Sequence, residues 1–438
     1  MAIVKGKRSL PGVRLAHRKN TQGFQTQAMP VPDTVKIPMC QHMGAVCQPL
    51  VKPGDTVYVG QKIGEVDHPR CVPIHSSVSG TVTALEDYTT YSGVVCKAVV
   101  IQTDQQQTPD PSVAPPVLTD KASFIRAVYE SGMVGLGGAG FPTHLKLNFQ
   151  EDLHVDALII NGAECEPYIT ADHREFLEHP EDIVEGIQKV LHYLGIAKAY
   201  IGIETNKPDA IRLMQERTAS LPDIQIIPLC SVYPQGAEKV LIYAATGRVI
   251  EAGTIPVQAG VIVMNVCTVS QLNRYFRTGM PLISRRVTVD GDCIGQPKNA
   301  EVLIGSSIQD VVDFCGGFRQ EPKKVLMGGP MMGVAVYDLH TPIIKNNNAI
   351  LCFSEEAARI PQETACIRCG KCSQVCPVGI MPRALEKAYD AQNLDELERL
   401  QVNLCLNCGC CSYICPAKRN LAQKNQLAKM LLRANTKR

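Results

Sequence analysis

Two runs of cysteine near the carboxyl end constrain this chain more than any other feature. Each run has the spacing CxxCxxCxxxCP, with the proline at Pro377 in the first run and at Pro416 in the second. Two-residue gaps let three thiolates of one loop converge on an inorganic cubane, and this spacing is typical of two-cluster ferredoxins. The sequence therefore predicts a helical ferredoxin domain with two [4Fe–4S] clusters over residues 354–438.

In two-cluster ferredoxins the fourth cysteine of each run binds the cluster of the other run. The predicted ligand sets are therefore Cys366, Cys369, Cys372 and Cys415 for one cluster, and Cys376, Cys405, Cys408 and Cys411 for the other. Two zinc sites are the alternative, but zinc ribbons supply two widely separated pairs of cysteines. Cys410 falls outside this register and is interpreted as a buried thiol, as are the ten scattered cysteines that precede the runs.

The size and composition of the chain exclude several classes of protein. Its 438 residues are enough for about two to four domains, and its 19 cysteines are clustered, unlike those of small disulfide-bonded secreted proteins. A net charge of +2 and the absence of tryptophan give no reason to expect a nucleic acid partner. No apolar signal segment opens the chain, and apolar stretches such as Val261–Val269 are shorter than the roughly 18 residues that span a bilayer. We therefore expect a protein of the reducing cytoplasm without a transmembrane segment.

Apolar periodicity and turn residues divide the remainder of the chain. Residues 1–30 are an N-terminal extension, and turn-punctuated strands predict a β domain over 31–104. The run rich in Gln and Pro that follows predicts a linker over 105–118. Alternating helix and strand predict an α/β domain over 119–280, and strands and turns return over 281–350.

Individual elements are also predicted within these segments. A helix is expected over Lys121–Ser131, and the apolar runs Ala157–Ile160 and Ala199–Ile203 are typical of buried strands. Pro208 suits the first position of a helix. A hairpin is predicted around Arg286–Asp292, and one helix is predicted to follow it at Ser307–Phe314.

A glycine-rich loop, Gly135–Gly140, matches the pattern GxGxxG. A dinucleotide-binding fold requires a strand before this pattern and a helix after it, whereas here a helix precedes it and Phe141-Pro142 follows. The glycines still expose backbone N–H groups to a flat or anionic ligand, and Lys146 can balance a phosphate. A tight turn that binds no ligand explains the same glycines equally well.

An acidic loop, Asn161–Pro167, follows directly on the predicted strand Ala157–Ile160. Ligands of open α/β sheets bind at the carboxyl ends of strands. The Glu164 and Glu166 carboxylates and the Asn161 amide suit hydrogen bonds to a ring edge or a ribose. A solvated loop without a ligand is the alternative.

These loops carry a family resemblance. The segments Gly135–Lys146, Asn161–Arg174, Tyr233–Leu241 and Asn265–Thr268 resemble the NADH- and FMN-binding subunit of respiratory complex I. Their order, together with Gly328–Gly333 and the double ferredoxin motif, resembles the C subunits of Rnf electron-transport complexes. The resemblance implies a multidomain α/β plus β protein. Its expected parts are a barrel-sandwich (lipoyl-like) domain, a Rossmann-like α/β flavin domain, a β-grasp (SLBB) domain and the helical ferredoxin domain.

The resemblance also implies which residues bind cofactors. Residues at motif positions that contact FMN are Gly137, Gly138, Gly140, Lys146, Asn161, Glu164 and Asn265, and Gly135 and Thr268 are also expected to bind a cofactor. Residues expected to face the nicotinamide nucleotide are Phe141, Glu166 and, as a further candidate, Glu238. The cofactors implied are FMN, NAD(H) and the two clusters.

The activity implied is that of an NADH dehydrogenase module in a ferredoxin:NAD oxidoreductase. Its partners would be ferredoxin and the membrane subunits of an Rnf complex, which would hold it peripherally at the inner face of the cell membrane. A soluble paralogue serving an amino-acid or corrinoid reductase is one alternative, because Ser9–Thr21 lacks a Gly-Gly-x-His-Pro opening. A flavin-less relay or scaffold is another, because Ala163 and Met264 depart from the complex I pattern.

Overall fold

The computed structural model describes residues 9–150 and 152–436, which form four β-sheets and a carboxyl-terminal group of helices. The first eight residues of the N-terminal extension predicted over 1–30 lie outside the described residues. So do residue 151 of the predicted α/β domain and the last two residues of the predicted ferredoxin domain.

Short strands dominate the first quarter of the chain. They are β1 (Gln27–Ala28), β2 (Thr34–Pro38), β3 (Gln48–Pro49), β4 (Thr56–Val57), β5 (Lys62–Glu65), β6 (Ile74–His75), β7 (Gly80–Thr89) and β8 (Val95–Thr103). Strands β2 to β8 form a four-stranded sheet of order β2-β8-β7-β4 and a three-stranded sheet of order β3-β5-β6. Apolar side chains of both sheets, among them Val35, Ile63 and Ile101, share one core. The turn-punctuated strands predicted this β domain, and the family resemblance implied its sandwich form.

The predicted linker has no regular secondary structure over most of its length, but part of it is bound to the sandwich. Val59 donates its N–H to the carbonyl of Thr108, and Asp110 donates to the carbonyl of Val59. The carbonyl of Ala114 lies against Gly279, at the end of the α/β segment. The run over 105–118 therefore follows the surface of its neighbours.

Helices and strands alternate in the next segment. They are α1 (Lys121–Glu130), α2 (Thr143–Leu147), β9 (Ala157–Gly162), α3 (Ala171–Glu178), α4 (Pro180–Leu194), β10 (Lys198–Glu204), α5 (Pro208–Arg217), β11 (Ile224–Leu229), α6 (Glu238–Thr246), β12 (Val261–Asn265) and α7 (Val266–Thr278). A 3₁₀ turn at Pro256–Ala259 precedes β12. The predicted helix at Lys121, the two predicted strands and the helix beginning at Pro208 are all present.

The four strands of this segment form a parallel sheet of order β11-β10-β9-β12. From β9 the chain proceeds to β10 and β11 on one side, and β12 then joins the other side of β9. The order therefore reverses between β9 and β12, and such a switch point opens a crevice at the carboxyl ends of the strands. Asn161 of β9 and Asn265 of β12 lie in register at this edge.

Local sequence explains where these helices begin and end. The Asp120 side chain accepts a hydrogen bond from the N–H of Ser123 and so caps α1. Helix α4 begins at Pro180 and ends before Gly195, which has a φ of +66°. Helix α7 begins directly after β12, because the Asn265 side chain caps it by accepting from the N–H of Cys267 at 2.9 Å.

A six-stranded sheet of order β1-β14-β13-β17-β15-β16 follows. Its elements are β13 (Ser284–Asp290), β14 (Lys298–Leu303), α8 (Ile308–Phe314), β15 (Lys324–Met327), β16 (Val334–Val336) and β17 (Ala349–Phe353). Strands β13 and β14 form the predicted hairpin, but residues 291–297 separate them instead of a tight turn. The first member of the sheet, β1, comes from the N-terminal extension and pairs in parallel with β14.

The carboxyl-terminal region is helical. It contains α9 (Glu355–Ala358), α10 (Lys371–Gln374), α11 (Pro382–Asp390), α12 (Leu394–Arg399), α13 (Cys410–Ile414) and α14 (Leu421–Thr436), with a 3₁₀ turn at Val402–Leu404. Leu385, Leu397 and Ala428 form the core between α11, α12 and α14. Among the residues described, no helix combines the length and apolarity needed to cross a membrane.

Candidate functional site

The glycine-rich loop lies between α1 and α2 and is held by two contacts from outside and by one hydrogen bond of its own. The carbonyl of Gly138 accepts a hydrogen bond from the Asn346 side chain at 2.8 Å, and that of Gly140 accepts from the N–H of Met43 at 2.9 Å. Within the loop, Gly135 donates to the carbonyl of Phe141 at 2.8 Å. The sandwich and the segment before β17 therefore both fix a loop that belongs to the α/β segment.

Position 138 requires glycine, because its φ is +114° and other residues rarely adopt that conformation. A Cβ atom there would meet nothing within 4 Å, so the loop is open at this point. Among the described residues, the N–H groups of Gly137, Gly138 and Ala139 make no hydrogen bond. Exposed N–H groups beside an open space are what a flat or anionic ligand needs.

The loop lies directly over the switch point of the parallel sheet. A Cβ atom at Gly137 would lie 3.3 Å from the Cβ of Asn265. The N–H of Leu136 donates to the hydroxyl of Thr268 at 3.0 Å, which ties the loop to the first turn of α7. The structure thus brings Gly137 together with Asn265 and Thr268, which follow it in the sequence by about 130 residues.

The two asparagines at the strand ends are engaged by neighbouring groups. The Asn161 amide donates to the carbonyl of Gly236 at 2.9 Å, and its oxygen accepts from the N–H of Ala163 at 3.2 Å. The Asn265 amide donates to the Asp172 carboxylate at 2.8 Å. Asp172 lies within the segment Asn161–Arg174, but nothing in the sequence marked it as a partner of Asn265.

Glu164 lies at the centre of the acidic loop with its side chain only 3% exposed. Its carboxylate accepts a hydrogen bond from the N–H of Asp172 at 2.6 Å and lies 3.9 Å from the ammonium of Lys19. Burial raises the pKa of the Glu164 carboxyl, and the Lys19 ammonium opposes that shift. Lys19 belongs to the N-terminal extension, and no sequence pattern indicated this contact.

Glu166 extends from the same loop toward the turn at Gly328–Gly333. One carboxylate oxygen accepts a hydrogen bond from the N–H of Met331 at 3.0 Å, and the other is buried without a hydrogen-bond partner among the described residues. Burial raises the pKa of Glu166 to about 7. A buried carboxyl with an unsatisfied oxygen and a raised pKa marks a candidate functional residue.

The remaining predicted residues border this crevice. The Lys146 ammonium donates to the Glu238 carboxylate at 2.9 Å and to the carbonyl of Val263 at 3.0 Å. Phe141, at the end of the glycine loop, is partly exposed. Lys146, predicted to bind FMN, is therefore paired with Glu238, which was predicted to face the nicotinamide nucleotide.

The shape and the polar groups of this crevice fit a flavin. The open glycine loop, the strand-end asparagines and the buried carboxyls converge at the switch point of one sheet. Flat ring systems and phosphates bind at such an edge, next to free N–H groups and a lysine. The role of each named residue toward FMN remains a prediction.

Four of the predicted cluster ligands line one cavity of about 190 Å³, namely Cys366, Cys369, Cys372 and Cys415. Arg383 and Arg419 border the same cavity, and Cys369 is exposed at its rim. Cys415 comes from the second run, so this grouping is the one that cross-ligation predicts. Four thiols around one cavity supply the donor set of a cubane.

The other four predicted ligands line a second, narrower cavity, namely Cys376, Cys405, Cys408 and Cys411. Cys376 reaches this cavity from the first run. Within residues 9–150 and 152–436, no three Cys, His, Asp or Glu side chains gather tightly enough for a single metal ion. Each group of thiols is therefore spread around a cavity, and the ligand assignment remains a prediction.

The two cysteine loops repeat one backbone pattern that the cysteine spacing alone did not indicate. Arg368 and Asn407 have φ values of +58° and +55°, and the glycines two residues later, Gly370 and Gly409, have +72° and +81°. In each loop the left-handed residue donates its N–H to the sulfur of the first cysteine at 3.4 Å. The one sequence feature that could have predicted this backbone pattern is the glycine that follows the second cysteine of each run.

The second cysteine loop lies next to the acidic loop, and the two share one apolar cluster. Cys410 is 1% exposed, and its sulfur lies 3.6 Å from the carbonyl of Tyr233. A small apolar cluster joins Cys408 and Cys410 to Cys165, Tyr233 and Met331. Cys410 is thus a buried thiol, as predicted, and it lies at the contact between the two candidate sites.

Family models match four successive parts of the chain. They are the RnfC barrel-sandwich hybrid domain at residues 8–106, the Nuo51 FMN-binding domain at 128–274, the SLBB domain at 286–335 and the 4Fe-4S dicluster domain at 359–426. These matches confirm the predicted fold class, part by part. They also support FMN and iron–sulfur clusters as the cofactors. The exact limits of each domain remain predictions from the sequence.

A solved structure shares the fold. A chain of NAD⁺-reducing [NiFe]-hydrogenase in the air-oxidised state matches with a TM-score of 0.52 and 21% identity, over 72% of this chain and 63% of that chain. At this identity the likeness concerns the fold alone.

Curated relatives match most of the chain. The chain is 44% identical over 366 residues to the C subunit of the Na⁺-translocating ferredoxin:NAD⁺ oxidoreductase complex of Acetobacterium woodii, covering 83% of this chain and 82% of the relative. It is 40% identical over 371 residues to the C subunit of the proton-translocating complex of Clostridium ljungdahlii, covering 84% and 81%. The chain therefore belongs to the family of C subunits of Rnf-type ion-translocating oxidoreductase complexes.

Proposed function

We propose that this chain is the subunit of an Rnf-type ferredoxin:NAD oxidoreductase that exchanges electrons between NAD(H) and two [4Fe–4S] clusters by way of FMN. The observation that carries the proposal is the packing of the second cysteine loop on the acidic loop. Met331 donates its N–H to Glu166 at 3.0 Å, and a Cβ atom at Gly409 would lie 3.2 Å from the Met331 carbonyl. One residue thus contacts both candidate sites.

The residues of the crevice have separate tasks in this proposal. FMN, when bound, supplies the conversion between hydride exchange and single-electron transfer. The N–H groups of the glycine loop and the ammonium of Lys146 bind its phosphate and ring edge. Asn161 and Asn265 orient the ring from the strand ends. Phe141 and Glu166 hold the nicotinamide nucleotide on the open side.

The two cysteine groups are ordered in space. In the group of Cys376, Cys405, Cys408 and Cys411, Cys408 packs in one apolar cluster with Tyr233 of the α/β segment and Met331 of the six-stranded-sheet region. The group that includes Cys369 is the more exposed of the two. We therefore place the first of these groups next to the flavin and the second at the surface that exchanges electrons with a partner.

The family assignment supports a proposal for the partners and the location of the chain. The other Rnf subunits are its partners, and ferredoxin is the electron donor or acceptor of the assembled complex. The chain is held peripherally at the cytoplasmic face of the cell membrane by those subunits. The family assignment supports this function over a soluble paralogue that serves a separate reductase and over a flavin-less scaffold.

Purified protein with reconstituted clusters tests the proposal. We expect it to release FMN on denaturation and to reduce an artificial acceptor such as benzyl viologen with NADH. Protein that holds iron and sulfide but no flavin, and that does not oxidise NADH, would contradict the proposed function.

A further inference from the structure

A buried lysine from the N-terminal extension lies beneath the acidic loop. The Lys19 side chain is 8% exposed, and its ammonium donates to the carbonyls of Glu164 at 2.9 Å, Glu166 at 2.9 Å and Ile169 at 2.5 Å. An ammonium group has three N–H donors, and here each has a carbonyl acceptor. A segment about 150 residues away in the sequence thus binds two carbonyls of the acidic loop and a third just after it.

The acidic loop needs such support, because the backbone is strained within it at Glu164 and directly after it at Tyr168. Glu164 and Tyr168 have φ values of +48° and +69°, a conformation that residues other than glycine rarely adopt. Such strain persists only where the surroundings hold the backbone in place. One of the carbonyls bound by Lys19 belongs to Glu164 itself, and another belongs to Ile169, the residue after Tyr168. The N–H of Tyr168 also donates to the carbonyl of His17 at 3.0 Å.

A path of ion-pair, hydrogen-bond and packing contacts leads from Lys19 to the glycine loop. The Lys19 ammonium lies 3.9 Å from the Glu164 carboxylate, which accepts from the N–H of Asp172. Asp172 accepts from the Asn265 amide, and Asn265 lies against Gly137. Moving the acidic loop would therefore shift the groups that border the crevice.

We propose that Lys19 is a positioning residue of the nucleotide site, whose ammonium binds the carbonyls of the acidic loop and thereby sets where the Glu164 and Glu166 carboxylates lie. This role rests on the proposed function, in which these carboxylates border the flavin and the nicotinamide. It gives the N-terminal extension a part in the site. Lys207 also binds the acidic loop, donating to the carbonyl of Ala163 at 2.7 Å.

The test replaces Lys19 with Met in the full-length holoprotein. Without the ammonium, three buried carbonyls lose their donor and the strained loop opens more often. We expect amide hydrogen exchange over 163–169 to become about tenfold faster. We also expect the KM for NADH to rise about tenfold, with kcat changed less and iron content unchanged. Wild-type exchange over 163–169 in Lys19→Met would overturn the role of Lys19.

Lys345→Met is the matched control. Lys345 is 1% exposed and donates to the carbonyls of Pro73 at 2.6 Å and Gly132 at 2.7 Å, away from the acidic loop. We expect this variant to lose comparable thermal stability while exchange over 163–169 stays as in the wild type. Equal acceleration in both variants would mean general destabilisation and would also overturn the proposal.

Lys19→Arg decides the matter if Lys19→Met does not fold. A planar guanidinium keeps the charge but cannot place three donors at one point. We expect it to fold, retain FMN, and raise both loop exchange and the KM for NADH about threefold. Wild-type values for both would contradict the proposal. Absence of FMN and of NADH oxidation from the wild-type protein would instead contradict the proposed function. Hydrogen exchange over the loop is measured without FMN binding or NADH oxidation, so it still tests the role of Lys19.

Discussion

At the scale of single residues, Cys376 and Cys415 carry the most specific expectation. Each belongs to one cysteine run by sequence and lines the cavity of the other run in space. The spacing of the runs predicted this exchange, because the fourth ligand of each cluster is supplied by the partner loop. Loss of either residue should therefore damage the cluster of the other run.

Cys376→Ala is expected to remove or convert the cluster held by Cys405, Cys408 and Cys411, while the cluster of its own run remains. Electron paramagnetic resonance with iron quantification distinguishes the two clusters. Cys410→Ala is the control, because Cys410 contacts Tyr233 and is not a predicted ligand. Loss of the cluster held by Cys366, Cys369 and Cys372 in Cys376→Ala would show that the pairing is wrong.

Glu166 gives a prediction about pH. Burial raises its pKa from 4.5 to about 7, so the folded protein keeps a proton that the unfolded chain has already lost. The free energy of unfolding therefore falls as pH rises from 4.5, the ordinary pKa of this carboxyl, toward about 7. The reason is that the unfolded state binds fewer protons than the folded state in that window. Glu166→Gln removes this contribution.

We expect the melting temperature of the wild type to fall more steeply than that of Glu166→Gln between about pH 5 and about pH 8. Differential scanning calorimetry of both proteins across this range measures the difference. Glu321→Gln, at an exposed position, is the control and should follow the wild type. Parallel curves for the wild type and Glu166→Gln would contradict a raised pKa.

At the scale of elements, the sequence was most informative where a local pattern determines the structure. The apolar runs that begin at Ala157 and Ala199 became β9 and β10, and Pro208 began α5. Rejection of a dinucleotide fingerprint at Gly135–Gly140 was also correct, because the loop joins two helices. These features depend on neighbours in the sequence, so periodicity and turn chemistry are enough to predict them.

Contacts between distant segments were not predictable in the same way. Lys19 lies 145 residues from Glu164, and β1 pairs with β14 although about 270 residues separate them. No periodicity or spacing records such pairs. The cavities of the ferredoxin region are the exception, because the cysteine spacing itself encodes the pairing of two loops.

The glycine loop supplies a prediction at this scale. Gly138→Ala forces a Cβ atom into a backbone of φ +114° and narrows the open space above the loop. We expect the variant to bind less than half the FMN of the wild type, measured as flavin released per chain. Gly93→Ala is the control, because Gly93 has a φ of +80°, lies in open space and belongs to the distant hairpin between β7 and β8.

Both substitutions introduce backbone strain of about 1 kcal/mol or more, so both should lower the melting temperature. Only Gly138→Ala should lose flavin. Full flavin content in Gly138→Ala, or equal loss in both variants, would contradict the assignment of this loop to FMN.

At the scale of the whole molecule, the arrangement joins two chemistries within one chain. The α/β segment brings the glycine loop and the acidic loop to one sheet edge, and the ferredoxin helices place the second cysteine loop against that edge. The sandwich and the six-stranded sheet fix the glycine loop through Met43 and Asn346. Each of these four parts therefore helps to position the flavin site relative to the cysteine loops.

Rapid mixing of chemically reduced holoprotein with NAD⁺ tests this account most directly. We predict that NADH forms while the resonance signal of the reduced clusters disappears at the same rate, and that protein stripped of flavin does neither. Clusters that stay reduced while NADH forms, or NAD⁺ reduction by the flavin-free protein, would contradict the proposed path between the crevice and the cysteine loops.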